Sequence, residues 1–511
     1  MLNMAKLRAG IKNFFDQDNV EATFNYLQSI KEDDWDKISE DYLLNLFRET
    51  FERVRGYHDF IEANNFQPLN VKSLADYTKI PVTNKNNYLR SYPLEHLVFD
   101  GRLDKTILAA TSGSSGHPFY FPRNEVIDWQ SSIFHEQFLR YDPENRNKST
   151  LVINCFGMGV WIGGLITYQA FHKIAAREYP LTILTPGPNK KEIFEALKHL
   201  GKKFQQIILC GYPPFIKDVI DEAEGYHINW KELKLKLIFA AESFTEQFRD
   251  YIVKKCGITN PYIDTVNIYG SADLGTMAIE TPLSILIRKL AIENKKIHKE
   301  LFHESGRLPT LVQFNPLFVN FEAQENEVLC TGYNCLPLIR YAIGDKGGVI
   351  RFSHMLKVFN ANGVDLITLA KNLGFEQHIY QLPFVYVYER TDLSTKLYGA
   401  IIYPEHIRES LQHHILEDFV TGKFTMLTKH DKKHNQYLEI NLELKPRVKE
   451  THDLTEIVKK IIVENLLEKN AEYKNNAQLL EERVEPKVVF WDHEHPTYFK
   501  PGGKQKWVKN N

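Results

Sequence analysis

Between about residues 105 and 280 the chain alternates short β-rich runs with helix-length amphipathic stretches, and this alternation restricts the fold more than any other feature. The runs TLVIN, LTILTP, QIILCG, KLIFAAE and TVNIYG are interleaved with KKEIFEALKHLGKKF, PPFIKDVIDEAE and EQFRDYIVKKC. Near-continuous apolar strands, each followed by a helix, imply β-α-β crossovers and strands buried on both faces. The expected class is α/β: a large N-terminal domain with mostly parallel sheets flanked by helices. Ligands on such sheets sit at the carboxyl ends of the strands.

At 511 residues the chain is too long for one hydrophobic core, so more than one domain is expected. Residues 1 to about 65 read as helical, with Leu43, Leu44, Phe47 and Phe51 at spacings of three and four. In the segment 73–93, Pro81 and Thr83 lie between two helical patterns, with a hydroxyl placed to cap the second. After about residue 388 the texture changes. PEHIRESLQHHI reads as helix, KFTMLTKHD and YLEINLELK as strands, and KVVFWD as a closing strand. Asp453 with Glu456 three residues on predicts a capping box before Leu454, Val458 and Ile462. The expected division is 1–388 for the large domain and 389–511 for a small α+β domain.

The 24 uncharged residues from 149 to 172 are long enough to suggest a membrane span. Four glycines, Asn154 and Gln169 fit a buried strand, a Gly-rich turn and a buried helix better. A formal net charge of -2 supplies no basic field, which argues against nucleic acid and points to a small-molecule partner. Five cysteines without a C-x-x-C pair, and no export signal at the N-terminus, suit a reducing cytoplasm.

The stretch ATSGSSGHP, residues 110–118, follows the apolar run Ile107-Leu108-Ala109. Successive Gly and Ser residues let backbone N–H groups turn into an anion-binding concavity, and Thr111, Ser112, Ser114 and Ser115 add hydroxyl donors around Gly113 and Gly116. It is neither a Walker loop, which requires G-K-[ST], nor a nucleophile elbow, which requires glycine at position 117. A phosphate cradle and a plain surface loop both remain open on this stretch alone. Further along, VNIYGSADLG puts Tyr269 and Asp273 just past a strand, where a ring can stack on a base and a carboxylate can reach a magnesium–phosphate. LPLIRYAIGDKGG offers Asp345 as an acceptor for vicinal ribose hydroxyls.

Taken in order, these segments resemble the adenylate-forming acyl-activating enzymes, and within them the phenylacetate–coenzyme A ligase-like branch. The matching segments are the 111–118 loop, AAES at 240–243, YGSAD, RYAIGD, ERTD…GAIIYPEHI and GGKQKW; the upstream LADYTKIPVTNKNNYLRSYP is also similar to this branch. The resemblance implies that a carboxylic acid attacks the α-phosphate of ATP, forming an acyl- or aryl-adenylate and releasing pyrophosphate, before a mobile C-terminal lid domain swings and coenzyme A takes the acyl group. It implies nucleotide contacts from Thr111 to Gly116, Ala241, Glu242, Tyr269, Gly270, Asp345 and Arg390. Asp273 would hold Mg²⁺ through the phosphates, Lys504 would be the catalytic cation with Lys506 its fallback, and Asp392 the hinge. Phe156 and Trp161 would line the acyl pocket.

The sequence departs from the family at several points. His117 stands where lysine is usual, Ala272-Asp273 where a hydroxyl residue and Glu are usual, and Glu389 where glycine precedes Arg390. The 45 positions from Asp345 to Arg390 imply an insertion around 350–385. Two alternatives follow: adenylation with transfer to a carrier protein, a reductase partner or another cofactor, or a catalytically weak nucleotide-binding relic. Residue by residue the plainer readings are a turn aspartate for Asp345, a helix cap for Asp273, a solvated lysine for Lys504, and core packing for Phe156 and Trp161. His493 and His495 lack a third spaced metal ligand.

Overall fold

A computed structural model describes residues 19–110, 119–160, 162–302, 308–390, 394–411 and 413–499, with the backbone alone described at Glu389, Arg390 and Glu405. The expected crossover region forms five parallel strands: β3 (Thr150–Asn154), β4 (Leu181–Leu184), β5 (Gln206–Gly211), β6 (Leu235–Ala240) and β7 (Thr265–Ser271). Helices Ile162–Ala175, Lys190–Leu200, Pro213–Glu222 and Glu246–Cys256 connect them. Leu151, Val152 and Ile153 are buried, as are Ile207 to Leu209 and Leu237 to Phe239, because helices cover both faces. The 149–172 stretch thus divides into β3, a turn and a helix. No helix among the described residues is long and apolar enough to cross a membrane.

The sheet continues past its parallel half. Strands β8 (Gly275–Ile279), β9 (Thr310–Gln313), β10 (Val319–Gln324), β11 (Glu327–Gly332), β12 (Leu338–Ile350) and β13 (Phe384–Arg390) join antiparallel, giving eleven strands in the order β10-β11-β12-β13-β9-β8-β7-β6-β5-β3-β4. The apolar run before the glycine–serine loop is not part of this sheet. It forms β1 (Ile107–Ala110), which pairs only with β2 (Tyr120–Arg123) in a separate two-stranded ribbon, so the loop joins the two strands of a hairpin.

Residues 19–63 are helical as expected, over Val20–Ser29, Glu32–Arg53 and Arg55–Ala63, with Leu43, Leu44 and Phe47 buried. Two expected caps are corrected. Asn84, not Thr83, caps the turn Lys85–Leu89, accepting from the N–H groups of Asn86 and Asn87. The Thr83 hydroxyl instead donates to the Ile339 carbonyl at 2.9 Å, and Thr83 bridges to Tyr341 of β12. Thr451, not Asp453, caps the helix His452–Lys469 by accepting from Leu454 N–H, which leaves Asp453 in the first turn where it faces the positive end of the helix dipole.

The long separation between Asp345 and Arg390 closes in space. Strands β12 and β13 pair antiparallel with Asp345 opposite Arg390, and the chain between them folds into helices Phe352–Ala361 and Leu366–Asn372. These helices bury Met355, Phe359 and Phe375 with Leu283, Ile287 and Ile297 in a second apolar cluster apart from the main one. Beyond β13 the strands change sheet: β14 (Thr395–Leu397) pairs with β15 (Ala400–Ile402), and β16 (Val420–His430), β17 (Gln436–Leu444) and β18 (Lys487–Trp491) form a third sheet. Leu438, Ile440 and Leu442 are buried on one face of β17 as their alternation requires, and helices His452–Lys469 and Ala471–Leu480 complete this α+β piece.

Glu246, Arg249, Glu280 and Arg288 form one buried group of charges. Arg249 donates to Glu246 and to Glu280, and Arg288 donates to Glu280 at 2.9 Å and to the Phe244 carbonyl at 2.7 Å. The other oxygen of Glu280 accepts from the Asn267 N–H of β7 at 2.9 Å, so this cluster holds the strand that carries Tyr269. Removing one partner from such a group leaves an uncompensated buried charge. Glu280→Gln is therefore expected to cost about 3–5 kcal/mol of stability, read in urea unfolding; an unchanged unfolding midpoint would show that the two arginines find other partners.

Candidate active site

The carboxyl ends of β6 and β7 open onto a cavity of about 610 Å³. Its wall includes Phe156, Ala241, Glu242, Tyr269, Gly270, Asp273 and Asp345, so the fold gathers seven of the residues singled out in the sequence from four separate segments. The glycine–serine loop 111–118, His117, Trp161, Asp392 and Lys504 lie outside the described residues, and of Arg390 only the backbone position opposite Asp345 is described.

Each of these positions has a local cause. The chain leaves β6 through Ala241, whose φ of 71° turns it out of the sheet and delivers Glu242 to the cavity wall. Strands β7 and β8 form a hairpin with a register shift after Tyr269. Gly270 is required there, because a Cβ would lie 2.7 Å from the Gly275 carbonyl oxygen. Asp273 sits in the tight turn of this hairpin, buried, and accepts from the Tyr341 hydroxyl at 2.8 Å. No helix begins at Asp273, so the capping role does not apply. Asp345 lies within β12 rather than in a turn, and its Oδ2 accepts from the Tyr269 hydroxyl at 2.5 Å. Tyr269 and Asp345 are thereby fixed to each other across the sheet.

The sequence reading missed the half of the cavity that comes from beyond β13. Lys396 of β14 donates to the Ala241 carbonyl at 2.5 Å. Gly399 N–H and Gln436 Nε2 donate to the two oxygens of Glu242. Gly399 has φ +85° and packs against Tyr212, where a Cβ would lie 2.6 Å from the ring, so only glycine brings its N–H this close. Burial raises the Glu242 pKa, and the bonds from Gln436 and Gly399 and the Lys396 charge oppose the rise. Glu242 thus clasps the two pieces of the protein in this arrangement, a role beyond the nucleotide contact expected of it. Tyr398 with Asp218 at 3.1 Å and Lys217 with Asn435 at 2.8 Å extend the same seam. Lys396 and Gly399 stand in a segment already notable in the sequence, but nothing in their spacing distinguishes them from surface residues.

No family model matches the chain. Over 230 residues it is 26% identical to a phenylacetate–coenzyme A ligase of Aromatoleum evansii, covering 44% of this chain and 48% of that one. Over 241 residues it is 22% identical to the same-named enzyme of Thermus thermophilus, covering 46% and 50%. The chain spans about half the length of these curated relatives. A solved structure of 2-hydroxyisobutyryl-CoA ligase with 2-HIB-AMP and coenzyme A, in the thioesterification state, superposes with a TM-score of 0.64 over 95% of this chain and 92% of its own, at 15% identity. The fold is that of the adenylate-forming CoA ligases. The same ligase in its postadenylation state superposes at 0.53, with equal coverage and identity. The adenylate-forming fold accounts for both the long sheet and the small α+β piece packed across its carboxyl edge.

Glu472, at the start of the helix Ala471–Leu480, lines the cavity beside Glu242 and Lys396. Burial pushes its pKa up to about 8, with Lys396 opposing and Glu242 adding to the shift. A carboxyl whose pKa is raised in the folded protein contributes stability while protonated and loses that contribution as pH rises from its ordinary value of 4.5 toward about 8. Thermal melting is expected to show the protein losing stability between pH 6 and 9, and Glu472→Gln to flatten that change. A melting temperature equal at both pH values in the parent protein would exclude the effect.

Proposed function

We propose that the protein is an ATP-dependent ligase that activates a carboxylic acid as an acyl- or aryl-adenylate, releases pyrophosphate, and passes the acyl group to coenzyme A. The observation that carries this reading is the convergence of Tyr269, Asp345, Asp273 and Ala241-Glu242 on one cavity at the carboxyl edge of the sheet. Curated relatives named phenylacetate–coenzyme A ligase, and a fold shared with a ligase solved with an adenylate and coenzyme A, support it.

In this reading Asp345 accepts from the ribose hydroxyls, Tyr269 holds that carboxylate in place and offers its ring to the base, and the 111–118 loop donates to the phosphates. Arg390, opposite Asp345 in the sheet, contacts the nucleotide from the neighbouring strand. Asp273, a carboxylate in the cavity wall, would hold a magnesium–phosphate. Magnesium would neutralise phosphate charge when bound. Lys504 brings the cation that meets charge building on the α-phosphorus. Residues 1–388 act as the adenylating domain and 389–511 as the lid, turning about Asp392 in the segment where the strands change sheet. The reaction is cytoplasmic, with a small-molecule acid as substrate.

Purified protein with ATP and Mg²⁺ is expected to release pyrophosphate only when a carboxylic acid is present, and to turn over repeatedly only with coenzyme A. Release without a coenzyme A effect would assign the acyl group to another acceptor, such as a carrier protein or reductase partner. Acid-independent silence with tight ATP binding would make the protein a nucleotide-binding relic, in keeping with His117 and Ala272. Lys504→Ala is expected to slow adenylate formation by about 100-fold or more, measured in single turnover; a change of only two- or threefold would remove Lys504 from that role.

A further inference from the structure

Two tyrosines and two aspartates tie β7 to β12. Tyr269 lies on β7 and Asp273 four positions later, in the turn that leaves it; Tyr341 and Asp345 stand four positions apart on β12. The bonds between them cross. Tyr269 donates to Asp345 Oδ2 at 2.5 Å, and Tyr341 donates to Asp273 Oδ1 at 2.8 Å. Strands β13, β9 and β8 lie between β12 and β7 in the sheet order, so no backbone ladder joins the two carriers. The side-chain bonds hold them to each other directly.

The two tyrosines differ in what they can reach. Tyr269 is part of the cavity wall, whereas Tyr341 is 0% exposed and belongs to the main apolar cluster. A side chain with no exposed surface cannot touch a ligand, so Tyr341 acts on the site only through Asp273. Its position is set by the backbone on both edges of its strand. Arg340, one residue earlier, has φ 44°, where the ladder between β11 and β12 shifts register; such an irregularity re-aims the side chains beside it. On the other edge Thr83 bridges to Tyr341, with Thr83 N–H donating to the Arg340 carbonyl at 3.2 Å and Ala342 N–H to the Thr83 carbonyl at 2.8 Å.

Asp273 faces the cavity with 5% of its surface exposed, and among the described residues its Oδ2 takes no hydrogen bond. A donor fixed on Oδ1 stops the carboxylate from rotating and leaves the second oxygen for a ligand. Resting on the ligase reading above, we propose that Tyr341 is a positioning residue for the magnesium–phosphate end of the site: its hydroxyl fixes Asp273 through Oδ1 and leaves Oδ2 to meet magnesium-bound triphosphate. The Tyr269–Asp345 bond is a separate tie, so loss of the Tyr341 hydroxyl acts on the phosphate end and spares the ribose end.

The test is nucleotide binding by isothermal titration calorimetry to the parent protein, Tyr341→Phe, Asp273→Asn and the double variant, each with MgATP and with AMP, which carries no magnesium-bridged triphosphate. Tyr341→Phe is expected to weaken MgATP binding about 10- to 100-fold and to leave AMP binding within about twofold of the parent. In the double variant MgATP binds no more weakly than in Asp273→Asn alone, because a residue that acts through Asp273 has no carboxylate left to position. Melting curves establish that the variants fold; should Tyr341→Phe fail to fold, 4-fluorophenylalanine at position 341, which keeps the size of the ring without a donor, takes its place with the same expected and overturning results. An unchanged MgATP affinity on loss of the hydroxyl, an equal loss for AMP, losses that multiply in the double variant, or an Asp273→Asn protein that binds MgATP as the parent does each overturn the proposal, and acid-dependent pyrophosphate exchange by the parent then leaves the ligase reading standing. A parent protein that does not bind MgATP overturns the ligase reading and this proposal with it.

Discussion

A carboxylate withdrawn from water must find donors for both oxygens, and Glu242 finds them on the far side of the cavity. Its partners, Gly399 N–H and Gln436 Nε2, belong to the small sheets that follow β13, so the satisfaction of one side chain fixes where those sheets sit against the edge of the eleven-stranded sheet. Lys396 on the Ala241 carbonyl secures the same junction one residue away. The walls of the cavity exist as a single surface because of this seam.

The cavity wall mixes carboxylates with apolar side chains: Glu242, Asp273, Asp345 and Glu472 share it with Phe156, Ile162, Ile166 and Phe248. The mixture follows from the elements that make it. Strand ends and tight turns present polar groups at the carboxyl edge of β7 and within β12, whereas the helix Ile162–Ala175 contributes Ile162 and Ile166.

The parallel half of the sheet was legible in the sequence because each strand is buried on both faces and each helix is amphipathic, so local composition and final environment agree. TLVIN, QIILCG and TVNIYG became β3, β5 and β7 with the expected pairing. The antiparallel half was not legible, since its strands pair with partners far away in sequence and carry no crossover helix to announce them. The same limit applied within the site. Asp273 and Asp345 stand in short motifs that sequence can expose, but Gly399 and Gln436 earn their positions only through folding. The two misplaced caps, Thr83 and Asp453, show neighbouring residues outcompeting them: Asn84 offers an acceptor one position later, and Thr451 one two positions earlier.

The pairing of β12 with β13 separates the spacing of the chain from the spacing of the site. Asp345 and Arg390 are neighbours across two strands, whatever the length of chain that leaves one strand and returns to the other. The helices Phe352–Ala361 and Leu366–Asn372 occupy that excursion and cover Leu283, Ile287 and Ile297 in the second apolar cluster. The fold therefore contains a port: a place where a whole helical module can be lengthened, shortened or exchanged while the two residues at its base keep their distance, so long as the ladder between them and the cover over Leu283, Ile287 and Ile297 are kept.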